Sequence, residues 1–242
     1  MTLDPVLEHA LRPGSPGKFV RLAGLVSSGV ALTGEQIREY SAFWRAEAEQ
    51  ALDDDAPVLV AMGDSLAQAI GASSPERGFV TAAAEQLSSR LGRDVAVLNL
   101  SRSGATISDV HVQQLPALVA AGVTPLAVLV MVGSNDLVRA VGPSNAVRDH
   151  KALLEDLLES VDAPLVIGTV PSGGSASARM LNRRIRDAAE ELDFSLADVA
   201  RALSSWKGMA AADGFHPNDA GYRAWIESFV GAVAELELDD MS

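Results

Sequence analysis

The sequence predicts an α/β domain built on a parallel sheet with helices on both faces. Three observations carry this. Short continuous apolar runs recur along the chain, as expected of strands buried on both faces. Segments with apolar residues at helical spacing separate them. Small and polar residues gather directly after the runs, where the ligand crevice of such a sheet lies. At 242 residues the chain fits one such domain with additions.

Residues 1–32 form a lead-in punctuated by Pro and Gly. Thr33-Gly34-Glu35-Gln36 reads as a capping box that opens a helix. Ile37, Tyr40, Trp44 and Ala48 follow at helical spacing, so this helix lays one face on the main domain. Asp53-Asp54-Asp55 with Pro57 ends it and reads as a solvated linker. The expected division is an N-terminal helical extension, 1–55, and a main domain, 56–242.

Within the main domain Val58-Leu59-Val60-Ala61-Met62 is the first strand, and a helix follows over about 77–91. A second strand spans 95–100, with a helix at about 108–121. A third spans 126–132, with a long helix at about 144–160. A fourth spans 165–170, with a helix at about 176–192. A weaker fifth strand, 195–199, precedes a last helix from about 218 to 236. Internal repeats and low-complexity tracts are absent from the sequence.

Apolar residues make up 48% of the chain, enough for a sizeable core. The net charge of -13 argues against nucleic acid, because phosphate binding needs a basic face. It disfavours an anionic membrane surface for the same reason. There is no cysteine, hence no disulfide framework and no thiol nucleophile. The first residues carry Asp4 and Glu8 rather than an apolar signal core, so a cytoplasmic location is the expectation. The stretch 19–32 is apolar but short and contains Arg21, which reads as a packed or partly exposed helix, with transient membrane contact as the alternative.

Four short segments carry the chemistry. They are Gly63-Asp64-Ser65-Leu66, Asn99-Leu100-Ser101-Arg102-Ser103-Gly104, Gly133-Ser134-Asn135-Asp136 and Asp213-Gly214-Phe215-His216-Pro217. Ser65 stands at a strand-to-helix turn, where a hydroxyl can attack a substrate and an unpaired backbone N–H can receive an oxyanion. The same position suits an N-cap serine. His216 has Asp213 three residues before it, close enough to fix its tautomer through Nδ1 and leave Nε2 toward Ser65. An Asx turn before a proline-started helix accounts for those residues equally simply. Gly104 offers a backbone N–H and Asn135 an amide N–H₂, both suited to a developing oxyanion; a turn glycine and a loop cap are the plain alternatives. The joint placement of Ser65, Gly104 and Asn135 at strand ends favours a site. His9, His111 and His150 read as surface or packing residues, His150 on a polar helix face.

These four segments resemble the blocks of the SGNH hydrolases, the GDSL esterase/lipase family. Ser65 matches the first block, Gly104 the second, Asn135 the third, and His216 with Asp213 the fourth; Asn99 and Pro217 match flanking positions. The resemblance covers roughly residues 57–235 and leaves the first 50 or so outside. It implies a flavodoxin-like three-layer α/β/α sandwich and acyl transfer by a Ser-His-Asp triad, with no metal and no organic cofactor. The expected partner is a small-molecule acyl ester, without nucleic acid and without stable membrane insertion.

The reading is a serine esterase. Ser65 is the nucleophile, His216 the base and Asp213 its orienting carboxylate, and the N–H groups of Ser65 and Gly104 with the Asn135 amide form the oxyanion hole. An acyltransferase using the same residues is the runner-up, and a flavodoxin-like binding module without turnover the third. The chain has no Gly-x-Ser-x-Gly elbow, no Walker loop and no Gly-x-Gly-x-x-Gly. Four scattered histidines without thiols argue against zinc. Ile70, Ile107, Leu137, Val138 and Phe215 flank the blocks and are candidates for an acyl pocket, with core packing as the alternative. The loop 171–174 is a candidate pocket wall.

Overall fold

The computed structural model describes residues 4–14, 28–53, 55–138, 143–171, 175–202 and 206–238. Among the described residues two helices precede the sheet, α1 (Pro5–Ala10) and α2 (Ser28–Asp53). The sheet strands are β1 (Val58–Gly63), β2 (Ala96–Asn99), β3 (Pro125–Met131), β4 (Leu165–Gly168) and β5 (Ser195–Ala197). All four strand pairings are parallel and the order is β2-β1-β3-β4-β5, the flavodoxin-like arrangement the sequence led us to expect. Between the strands come α3 (Phe79–Leu91), the short α4 (Ile107–Asp109) continued by a π turn (Val110–Gln114) into α5 (Leu115–Ala121), and α6 (Ser134–Val138) with α7 (Pro143–Ser160). The chain then adds α8 (Ala176–Glu191), α9 (Val199–Ala202) and α10 (Asp219–Ala234).

Side-chain alternation along the central strands explains the two-sided burial. Leu59, Ala61, Leu129 and Met131 join a core with Tyr40, Trp44, Phe79, Tyr222, Trp225 and Phe229 from α2, α3 and α10. Val58, Val60, Met62, Val128 and Val130 face the other way, onto Ile107, Leu118, Leu153, Leu157, Leu181 and Ile185. A strand whose every residue is buried has no polar face to alternate, so it reads as an unbroken apolar run. The stacked rings of Phe79 and Phe229, 4.0 Å between centroids, tie α3 to α10.

Helix α2 packs across the β2 edge of the sheet. Ile37, Tyr40 and Trp44 enter the first core, and Ala48, one turn further on, enters the second. The helix therefore covers an edge strand whose backbone would otherwise lie open to pairing. All four residues of the expected stripe are buried. The start of the helix differs from the expectation. It already runs at Ser28, so Thr33 lies inside it and does not cap it. The helix ends at Asp53, and Asp54 lies outside the described residues.

Most other boundaries fall within two residues of those read from the sequence. Two local features differ. Ser65 does not stand at a helix opening: the segment after it is a series of turns closed by bonds such as Ile70 N–H to Ser65 O, 3.0 Å, and the helix begins at Phe79, within two residues of its expected start. His150 is buried, not on a polar face, and burial pushes its imidazole down to about 4. Residues 19–27 of the apolar N-terminal stretch, and 172–174 of the expected pocket wall, lie outside the described residues. Among the described residues no helix is long and apolar enough to cross a membrane.

Candidate active site

Strand β1 ends at Gly63, and the chain must turn there against β3. A Cβ at Gly63 would sit 2.2 Å from the Met131 carbonyl oxygen, and its φ of +146° is one that side-chain-bearing residues rarely adopt. The Gln114 side chain fixes this peptide from both ends: its Oε1 accepts from Gly63 N–H and its Nε2 donates to Gly63 O, each at 2.8 Å. Asp64 and Ser65 then leave the sheet together, both buried.

Ser65 Oγ lies 2.9 Å from His216 Nε2. His216 Nδ1 lies 2.6 Å from Asp213 Oδ2. An ionised carboxylate only accepts, so the Nδ1 proton belongs to this bond and Nε2 is the acceptor for the Ser65 hydroxyl. Asp213 Oδ1 accepts from the N–H groups of Phe215, 2.9 Å, and His216, 3.0 Å. Burial pushes the Asp213 carboxyl up, but the His216 hydrogen bond, its charge and those two amides outweigh burial and hold the group well below the usual carboxylate range.

The loop after β2 is set by two amide side chains. Gln68 Oε1 accepts from Ser103 N–H, 3.1 Å, and Ser103 Oγ–H, 2.6 Å, while its Nε2 donates to Ser101 O, 3.0 Å. Asn99 Nδ2 donates to Ala67 O, 2.9 Å. The loops after β1 and β2 are thus cross-braced, with Gly104 (φ +83°) between the held Ser103 and Ala105. Asn135 comes from the end of β3. Its Nδ2 donates to Ala105 O, 2.9 Å, and more weakly to Asp64 Oδ2, 3.3 Å.

Two carboxylates near the site are pushed in opposite directions. Asp213 is held ionised. Asp64 is fully buried, and that burial raises it to about 7 despite the Leu66 N–H it accepts. Asp213 has four donors on its two oxygens, the three above and the Thr33 hydroxyl, whereas Asp64 has Leu66 N–H and the long Asn135 contact. Partner supply decides the charge state.

The structure thus brings Ser65, His216 and Asp213 into one hydrogen-bonded chain, with Gly104 on the loop after β2 and Asn135 in the first turn of α6 bonded to that loop. The expected pocket residues separate. Ile70 and Ile107 are fully buried in the two cores, on opposite faces of the sheet. Leu137 is half-buried, while Val138 and Phe215 are exposed. A cavity of about 320 Å³ borders Gly104, lined by Pro13, Gly14, Arg102, Ser103 and Asp109. Its wall is polar and partly N-terminal, and no residue of the expected pocket lines it. Among the described residues no group of three or more His, Asp or Glu side chains is gathered as a metal site requires.

Sequence reasoning missed three side chains that hold this frame: Gln68, Gln114 and Thr33. Thr33 Oγ1 donates to Asp213 Oδ2 at 2.8 Å across 180 residues of sequence. Its only local signal was a hydroxyl that matched a cap pattern.

The GDSL-like lipase/acylhydrolase family model matches residues 61–224, which include all four blocks. No curated protein matches the chain. Among solved structures the chain is similar to TesA, with 24% identity, TM-score 0.61, and 74% of this chain and 98% of that one covered. It is similar to a member of the lipolytic G-D-S-L family from Veillonella parvula, with 17% identity, TM-score 0.64, and 75% and 100% covered. It is also similar to Axe2, an acetylxylan esterase from Geobacillus stearothermophilus, with 20% identity, TM-score 0.59, and 75% and 95% covered. At these identities the likenesses speak to the fold, and the family match speaks to the chemistry. The chain belongs to the GDSL-like lipase/acylhydrolase family and is a hydrolase that acts on ester bonds.

Proposed function

We propose that the chain hydrolyses small carboxylic esters or thioesters through a Ser65-His216-Asp213 triad and an acyl-enzyme. The single observation that carries this is the continuous hydrogen-bond chain from Ser65 Oγ through both ring nitrogens of His216 to Asp213. Ser65 Oγ bonds to the substrate carbonyl carbon while its proton passes to His216 Nε2. Asp213 keeps Nδ1 protonated and stabilises the imidazolium that forms. His216 then gives the proton to the leaving alkoxide or thiolate as the bond to it breaks. Water repeats the sequence in reverse and frees Ser65.

The oxyanion receives the N–H groups of Ser65 and Gly104 and one Asn135 N–H. The weak contact from Asn135 to Asp64 is the one that yields to the oxyanion, and the Ala105 bond keeps the amide oriented. Burial raises Asp64 to about 7, which lessens the negative charge it sets beside the hole below that pH. The polar cavity beside Gly104 suits a small or polar substrate group better than a long alkyl chain.

The test is a panel of nitrophenyl esters and acyl-CoAs of rising chain length, run on the wild type and Ser65→Ala. Removing a nucleophile that acts as a unit with its base costs on the order of 10⁶ in kcat. Hydrolysis of any panel member should vanish in Ser65→Ala while the fold stays intact. A variant within about tenfold of wild type would remove Ser65 from the role.

A further inference from the structure

The helix outside the matched family segment reaches into the site. Thr33, on α2, is 4% exposed, and its hydroxyl donates to Asp213 Oδ2 at 2.8 Å. That oxygen is the one facing His216 Nδ1. Asp213 Oδ1 is filled by two backbone amides, so Thr33 supplies the fourth donor to a carboxylate whose side chain is 6% exposed. Two amides on Oδ1 still let a carboxyl group rock about that end, because its last torsion is broad. His216 Nδ1 also bonds Oδ2, but it is the group to be oriented; Thr33 adds a donor from outside the pair and so fixes Oδ2 at Nδ1 independently of the ring.

The same helix grips the Ser65 loop at each following turn. Gln36 Oε1 accepts from Gly71 N–H, 3.1 Å, and Gln36 Nε2 donates to Ala72 O, 3.0 Å. Tyr40 OH donates to Ala72 O, 2.8 Å, and Trp44 Nε1 to Gln68 O, 3.1 Å. Gly71 in turn presses on the histidine loop: a Cβ there would lie 2.4 Å from Pro217 O and 2.7 Å from His216 Cβ. Thr33, Gln36, Tyr40 and Trp44 form one stripe, three or four residues apart. One rigid element thus sets both the loop that carries Ser65 and the carboxylate that orients His216.

We propose that Thr33 is a positioning residue, whose hydroxyl holds Asp213 Oδ2 against His216 Nδ1 and makes α2 a working part of the active site. This rests on the triad reading above. A helix that merely stabilised the fold would need only its apolar face; a buried hydroxyl aimed at Asp213 adds nothing to such packing.

The test uses the full chain with Thr33→Val, Thr33→Ala, Thr33→Ser and Ile37→Val. Each is assayed for kcat and KM on p-nitrophenyl acetate, for the rate of labelling by a fluorophosphonate, and for its thermal midpoint. Small misplacements of a reacting group cost up to about a hundredfold, so Val and Ala at position 33 should lower kcat and labelling roughly ten- to a hundredfold with KM nearly unchanged. Thr33→Ser keeps the hydroxyl and should restore both to within about threefold. Ile37→Val loosens the packing of α2 without touching a polar contact, so it should lower the midpoint and spare kcat. Wild-type kcat in both Thr33→Val and Thr33→Ala would overturn the inference, as would an equal loss in Ile37→Val. A wild type that neither turns over the ester nor takes the label would instead sink the triad reading itself.

Discussion

The two sides of the Ser65 loop are built on different plans. On one side lie the ends of β1, β2 and β3, where Gln114 and Asn99 brace the segment that carries Ser65, Gln68 braces the loop that carries Gly104, and Asn135 is held by Ala105 O. On the other lies α2, which offers one polar side chain per turn, to Asp213, Gly71, Ala72 and Gln68 in order. In the mechanism we propose, the first side supplies the reacting atoms and the second supplies their alignment. Chemistry that rests on a few backbone N–H groups can be written in three or four consecutive residues. Alignment between Ser65 and His216, 151 residues apart, needs a rigid body that touches both loops.

The comparison breaks most sharply at the strand ends. After Ser65→Ala, the largest expected effect is at Asn135. Removing one oxyanion donor costs roughly 10²–10³ in kcat, about 2.7–4 kcal/mol, so Asn135→Ala should show that loss with KM little changed. A raised KM with normal kcat would place Asn135 in ground-state binding and strip the strand-end side of one of its functions.

Gly71 lies where the two sides meet. Its φ of +97° and the close approach of Pro217 O and His216 Cβ leave no room for a methyl. Gly71→Ala should add strain of about 1–3 kcal/mol and displace His216, lowering kcat by roughly ten- to a hundredfold along with the thermal midpoint. A variant that loses stability but keeps kcat would show that the Ser65 and His216 loops can move apart without consequence.

His150, on α7 in the opposite core, marks the contrast with a titration remote from the site. Its folded value is near 4 against an ordinary 6.5, so the unfolded chain binds more protons between those values. Its contribution to stability is therefore present above pH 6.5 and lost as pH falls toward 4. Asp64 runs the other way. Raised from 3.8 to about 7, it binds more protons when folded, and its contribution falls as pH rises through the same window. His150→Leu should remove the acid-side loss and leave stability declining with rising pH between 4 and 6.5, read from urea midpoints, with ester turnover unaffected. An unchanged pH slope would mean that His150 is not held neutral by burial.

The same contrast explains what could be read in advance. Strands β1 and β3 are buried on both faces, so Val58–Met62 and Leu126–Val132 stand out as apolar runs, and the blocks behind them are contiguous. His216 and Asp213 share one loop, and their pairing follows from a spacing of three. Thr33 meets Asp213 across 180 residues, and its hydroxyl carries the same local mark as a helix cap, so the cap pattern claimed it. The separation of two candidate pocket residues has a related reason. Ile70 and Ile107 are near the blocks in sequence, yet the sheet lies between their side chains, and adjacency to a motif says nothing about which face a residue takes. The face that His150 takes on α7 is not legible because a histidine between Asp149 and Lys151 reads as polar, although burial holds its imidazole neutral.

The most direct measurement of the central claim is to treat the full chain with a fluorophosphonate and map the adduct by peptide mass spectrometry while following ester hydrolysis. The account predicts one adduct, on Ser65 Oγ, with hydrolysis lost in step with labelling. Full hydrolysis in a chain labelled to completion at Ser65, or loss of hydrolysis with the adduct on another residue, would contradict it.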